Sequence, residues 1–111
     1  MTEEDARARL NARFAQIEEE LALGAEMRAP VTLQQDTVGR LSRMDAIQQQ
    51  QMAEAKRRRR EAEQARIRAA LERLDAGEWG WCLTCGDRIA EARLAHDPSV
   101  TQCVKCASSE D

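Results

Sequence analysis

The chain has 111 residues, of which three are aromatic and a third are charged, and its formal net charge is −3. That length allows one domain, yet Phe14, Trp79 and Trp81 are too few for a large globular core, and 19 alanines inflate the apolar fraction. The composition suits long, thinly packed helices; the absence of any run of about 18 apolar residues excludes a membrane-spanning helix, and the net charge argues against a chain-wide preference for nucleic acid.

Thr2 and Asp5 read as a capping box that opens a first helix. Leu10, Phe14, Ile17 and Leu21 then follow at intervals of four, three and four, the spacing of a coiled-coil seam, and the charged residues around them leave only that narrow stripe. Pro30 stops the helix because it lacks an N–H and pushes Ala29 away from helical torsion angles. The first helix is therefore expected over about 3–28 and a tip over about 29–36. A second helix follows over about 37–76, with Gly77 as its left-handed terminator.

Neither rod buries enough to stand alone, and a short connection favours antiparallel neighbours. Residues 1–76 are expected to fold back as a hairpin about residue 32 or 33. That register sets the cationic run Lys56 to Arg60 against Glu3, Glu4 and Asp5, and leaves Ile67, Leu71 and Leu74 to be covered by whatever follows the second helix. Five consecutive helical cations radiate around the axis, so the run reads as a solvated, partly ion-paired surface before it reads as a nucleic-acid site.

Beyond Gly77 stand the chain's four cysteines, Cys82, Cys85, Cys103 and Cys106, as two C-x-x-C pairs with seventeen residues between them. This is the pattern of a four-thiolate zinc site, in which four tetrahedral ligands close the shell around one structural ion. Gly86 follows the first pair, where positive φ turns backbone N–H groups toward sulfur. Reduced cysteines and the lack of a targeting segment point to the cytoplasm. His96 is the single histidine, so Ser-His-Asp and Cys-His chemistry have almost nothing to draw on and no Gly-rich phosphate loop is present. A binding protein and not an enzyme is expected. The fold class is mainly α: an antiparallel coiled-coil hairpin over 1–76, a four-cysteine zinc-finger head over 77–106 and a disordered acidic tail over 107–111.

The segment Gly77-Glu78-Trp79-Gly80-Trp81-Cys82-Leu83-Thr84-Cys85-Gly86, with Ile89, Arg93-Leu94, Pro98 and Cys103-Val104-Lys105-Cys106, closely resembles the signature of the DksA/TraR family of bacterial zinc-finger transcription regulators. Trp79 stands where that family usually has Tyr or Phe. The resemblance implies RNA polymerase as partner, entry of the hairpin into the polymerase secondary channel, and modulation of promoter complexes by acidic tip residues without sequence-specific DNA binding. The family's tip pattern Asp-x-x-Asp-x-Ala is only partly kept: Asp36 supplies the first acid, but Gly39 and Leu41 occupy the other two places. Asp45-Ala46 is the next candidate, and Asp36 also suits a helix N-cap.

Some family members respond to ppGpp through basic residues on the second helix and one beyond the last cysteine. Arg59 and Arg66 lie at the matching distances, whereas Ala107 follows Cys106. The alternative reading is a zinc-finger adaptor whose hairpin binds another protein or whose Lys56 to Arg60 run binds nucleic acid.

Overall fold

A computed structural model describes residues 1–28 and 40–108, with side chains described for 1–25 and 43–108. The fold is mainly helical: α1 (Glu3–Arg28), α2 (Arg40–Ala76), α3 (Glu91–His96) and α4 (Val104–Ser108). Among the described residues there is no strand, only an isolated antiparallel bridge between Trp81 and Arg88. No helix there is long and apolar enough to cross a membrane.

The ends of the long helices follow from local chemistry. The Asp5 backbone N–H donates to Thr2 Oγ1 at 3.0 Å and the Thr2 N–H donates to Asp5 Oδ2 at 3.4 Å, which is the reciprocal capping box expected at the start of α1. At the end of α2, Gly77 has φ +73°, its N–H donates to the Leu74 carbonyl, and the Glu78 N–H donates to the Arg73 carbonyl at 2.8 Å. That pair of bonds is a Schellman motif, and it needs a residue without a Cβ penalty at positive φ. The expected start of α2 near 37 lies outside the described residues, and α2 is described from Arg40. Helix α4 takes in Ala107 and Ser108, which the sequence assigns to the tail.

The chain divides into two compact units, each containing parts of both long helices. The first comprises Met1–Ala15 and Gln64–Asp111. Here Ala6, Leu10, Ile67, Ala70 and Leu74 are buried together with Trp79, Ile89 and Leu94 of the cysteine-containing segment. Arg7 pairs with Asp75 at 2.9 Å, and the buried Gln64 side chain donates to the Phe14 carbonyl, so α1 and α2 run antiparallel. Phe14 itself is only half-buried, with the Arg68 guanidinium 5.3 Å from its ring centroid. The segment after α2 is fastened to α1: the Met1 ammonium meets Glu91 Oε2 at 3.1 Å, and the Arg9 guanidinium donates to the Ala95 carbonyl at the end of α3.

The second unit comprises Gln16–Glu63. Ile17 is fully buried and Arg60 pairs with Glu20 at 3.2 Å. Arg57 is held within its own helix by Glu54 and Glu61, each at 2.7 Å. The pairs Arg7 with Asp75 and Glu20 with Arg60 are centred on residues 41 and 40, so the helices do not pair about residue 32 or 33 as the position of Pro30 suggests. The expected meeting of Lys56 to Arg60 with Glu3, Glu4 and Asp5 is replaced by Arg60 on Glu20. Ile67 and Leu74 lie opposite α1 residues and not beyond them.

Candidate metal centre

The first cysteine pair sits on a tight turn. Antiparallel bonds run from the Cys82 N–H to the Asp87 carbonyl and from the Ile89 N–H to the Gly80 carbonyl, both 2.8 Å, and the Gly86 N–H closes on the Cys82 carbonyl at 2.9 Å. Gly86 has φ +80°. A side chain there would be strained whatever space surrounds it, because Cβ crowds the carbonyl at positive φ. The second pair is placed by α4, with Cys103 just before it and Cys106 inside it. The two turns are tied directly: the Leu83 N–H donates to the Thr101 carbonyl at 2.8 Å, and Gln102 Nε2 donates to Thr84 Oγ1 at 3.0 Å.

Between the pairs, α3 packs Leu94 into the core, Arg93 Nε reaches the Gln102 carbonyl at 2.8 Å, and Trp79 Nε1 donates to the Pro98 carbonyl at 2.9 Å. The buried indole N–H is thereby satisfied, as a buried donor must be. His96 is exposed.

All four sulfurs lie within 4.8 Å of one another, and Cys85 Sγ stands 3.8 Å from Cys103 Sγ. A zinc ion with four Zn–S bonds of about 2.3 Å in a tetrahedron sets its sulfurs about 3.8 Å apart, so the cluster fits that ion. No disulfide links any of the four. The protonation of the thiols points the same way. Backbone N–H groups at Cys85 and Cys103 hold the Cys82 thiol down to about 6, whereas side-chain hydrogen bonds with Cys103 and Cys85 push the Cys106 thiol up to about 12. Without a cation these thiols cannot all ionise together; a divalent ion removes the conflict by neutralising half the charge of four thiolates.

Residues 77–111 match the family model described as the prokaryotic dksA/traR C4-type zinc finger. The cysteine-containing segment, about a third of the chain, thus matches a DksA/TraR zinc finger. An uncharacterized protein of Aquifex aeolicus is 45% identical over 38 residues, which are 34% of this chain and 26% of that relative. Thus the match spans about a quarter of the relative's length. The solved structure of transcription factor DksA2 from Pseudomonas aeruginosa is similar with a TM-score of 0.82 and 22% identity over 97% of this chain and 81% of that one. The fold is therefore DksA-like along the chain, and the DksA/TraR finger carries one structural zinc, which Cys82, Cys85, Cys103 and Cys106 would hold.

The other described residues singled out in the sequence lie on the helices. Asp36 falls outside the described residues. Asp45 is exposed and Ala46 half-buried in the first turns of α2. Arg59 is exposed in the second unit and Arg66 is exposed in the first. One residue that sequence reasoning passed over is Arg88, whose guanidinium lies 5.8 Å from the Trp79 ring and 5.6 Å from the Trp81 ring and donates to the Trp79 carbonyl at 3.2 Å. The glycine between two tryptophans, Gly80, was the signal available for it.

Proposed function

We propose that the chain is a transcription regulator that binds bacterial RNA polymerase in the cytoplasm and acts as a binding protein and not as an enzyme. The observation that carries this reading is the likeness to transcription factor DksA2 over 97% of the chain, joined to a DksA/TraR finger at the C-terminal end. On this reading residues 1–76 are the hairpin that enters the secondary channel, and residues 77–106 are the head, held by one zinc on the four cysteines. The acidic candidates are Asp36 and Asp45, with Ala46 beside the latter. Exposed Asp45 has the accessibility that contact with a partner needs.

Exposed guanidinium groups at Arg59 and Arg66 suit phosphate, which a planar fork grips with two parallel bonds, and ppGpp is the proposed effector. Sequence-specific DNA binding has little support. Within the cationic run Arg57 and Arg60 are already committed to Glu54, Glu61 and Glu20, which leaves no continuous basic stripe.

The test is retention of polymerase from a bacterial lysate on the immobilised zinc-loaded protein, followed by site-directed photocrosslinking from position 45. Crosslinks to the polymerase subunit that lines the secondary channel support the reading. Failure to retain polymerase, or crosslinks confined to its outer surface, removes the channel from the account.

A further inference from the structure

The second unit contains a gap in its helix seam. Continued from Leu10, Phe14, Ile17 and Leu21, the four-three spacing places the next α1 seam position at Gly24, where a large apolar residue is the usual occupant. On α2, Ala53 is the other small residue at the same place, and the two line one notch of about 560 Å³. Leu23 and Met52 also line it and are 64% and 61% exposed, so the notch joins two large apolar side chains to two of the smallest residues. Helix seams are ordinarily packed to the density of organic crystals, and this layer is not.

Charge is arranged unevenly around the notch. Glu20 and Arg60, both lining it, pair with each other at 3.2 Å and cancel. Lys56, one turn before Arg60 on α2, is exposed and enters no ion pair among the described residues. Among the described lining residues the balance is one positive charge, at the edge of an apolar gap whose volume falls in the range of small-molecule sites.

We propose that this notch binds a small anionic amphiphile, an unbranched carboxylate of medium chain length, with its alkyl chain over Gly24 and Ala53 between Leu23 and Met52 and its carboxylate on the Lys56 ammonium. The long Lys56 side chain can lay its methylenes along the alkyl chain while its charge stays in water beside the head group. Each methylene that enters the gap should tighten binding by up to about fourfold, the factor that corresponds to about 0.8 kcal/mol per buried CH₂. Hexanoate, octanoate and decanoate should therefore form a rising series. The site does not depend on polymerase binding, and the titration of it needs no polymerase.

The experiment titrates the full-length, zinc-loaded protein, carbon-13 labelled at methionine methyls, with decanoate and with decyltrimethylammonium. The expected result is a saturable shift of the Met52 methyl with decanoate, little movement at Met44, and weaker binding of the cationic analogue. Ala53→Leu should fill the gap and weaken decanoate at least tenfold with helicity retained. Gly24→Ala should weaken it less, and Lys56→Gln should erase the preference for the anion. A linear, non-saturating shift, equal binding of both amphiphiles, or unchanged binding by Ala53→Leu and Gly24→Ala overturns the proposal. So does loss of polymerase retention by Ala53→Leu with no Met52 shift by decanoate, because the notch would then seat a side chain of a protein partner.

Discussion

The Arg88 guanidinium lies directly over Gly80, so close that a Cβ added at Gly80 would stand 2.7 Å from Arg88 Cζ. Gly80 also has φ +94°, a conformation that side chains rarely adopt. The missing side chain lets the guanidinium reach the Trp79 carbonyl and both indole faces at once, so a surface cation becomes part of the wall of the finger.

Gly80→Ala should therefore destabilise the zinc-loaded finger by about 1–3 kcal/mol, from backbone strain together with displacement of Arg88. Arg88→Ala should cost less, about 0.5–1 kcal/mol, because a partly exposed cation over an aromatic face contributes only that much. Thermal melts followed by tryptophan fluorescence check both. The double variant should melt higher than the sum of the two single losses, since removing Arg88 removes the clash. Strict additivity would show that strain at Gly80 alone accounts for its effect.

A second expectation concerns packing in the helix seam. Ile17 is fully buried, so Ile17→Ala should cost about 2–5 kcal/mol, whereas Phe14→Ala should cost less than the 3–5 kcal/mol of a fully buried Phe because Phe14 is half-buried under Arg68. Denaturant unfolding of the two variants, read by far-ultraviolet circular dichroism, should rank Ile17→Ala as the weaker protein. Zinc content should stay at one per chain in both. The opposite ranking would return Phe14 to the centre of the seam.

These two residues also show where the sequence could be read and where it could not. The start of α1 and the end of α2 were legible because capping is local: Thr2 with Asp5 and Gly77 act on backbone groups within a turn of themselves. The metal cluster was legible because two C-x-x-C pairs carry their own geometry. Register was not. Pro30 says where a helix must stop but not how far along α2 the returning chain meets α1, and the fold-back about residue 32 or 33 that set Glu3 to Asp5 against the cationic run finds no objection in a charge pattern that Glu20 satisfies as well. Nor does counting large apolar residues find a core made in part of Ala6 and Ala70, both fully buried. Close helix approach uses small residues that look neutral in the sequence. The seam gap at Gly24 and Ala53 was hidden for the same reason.

Zinc removal should act on the two units unequally. Chelation, or Cys103→Ser, should unfold the finger, because structural zinc supplies on the order of 10–16 kcal/mol in small finger peptides and the apolar residues of this segment cannot replace that. Hydrogen exchange should then rise over residues 78–106. The amides of α2 near Ile67 and Leu74, packed in the same unit, should lose part of their protection, while those around Ile17 in the second unit should lose least. Uniform loss of protection along both helices would contradict this order. Metal analysis of anaerobically prepared protein should find one zinc per chain.

Proton competition sets the pH dependence of that zinc. Zinc binds thiolates, and because its removal unfolds the finger, each of the four cysteines must give up a proton as the ion is taken up. Apparent zinc affinity should thus fall as pH falls through the neutral range, with a slope of its logarithm against pH of about four protons, since an unfolded cysteine titrates at about 8.5. Competition with a chromophoric chelator between pH 5 and 8 measures it. A slope lower by about one proton above pH 6 would show that the metal-free finger keeps its folded geometry, in which the Cys82 thiol is held down to about 6.

The last prediction separates charge from capping in the acidic candidates. Asp45 lies within α2 and is exposed, so it does not cap that helix, and Asp45→Asn should leave the melting temperature nearly unchanged. Asp36 lies outside the described residues, and Asp36→Asn keeps whatever capping it supplies, because Asn caps a helix about as well as Asp. If either carboxylate acts on polymerase, its variant should still be retained by polymerase but lose its effect on transcription in vitro from a promoter sensitive to the parent protein. Asp45→Asn should be the more damaging if the Asp45-Ala46 pair serves as the tip, and Asp36→Asn if the first acid of the family's pattern does. Because neither change removes a buried contact, lost polymerase binding would point to a docking role. Undiminished regulation by both single variants and the double variant would remove acidic tip chemistry from this chain and leave the paired helix faces to account for its activity.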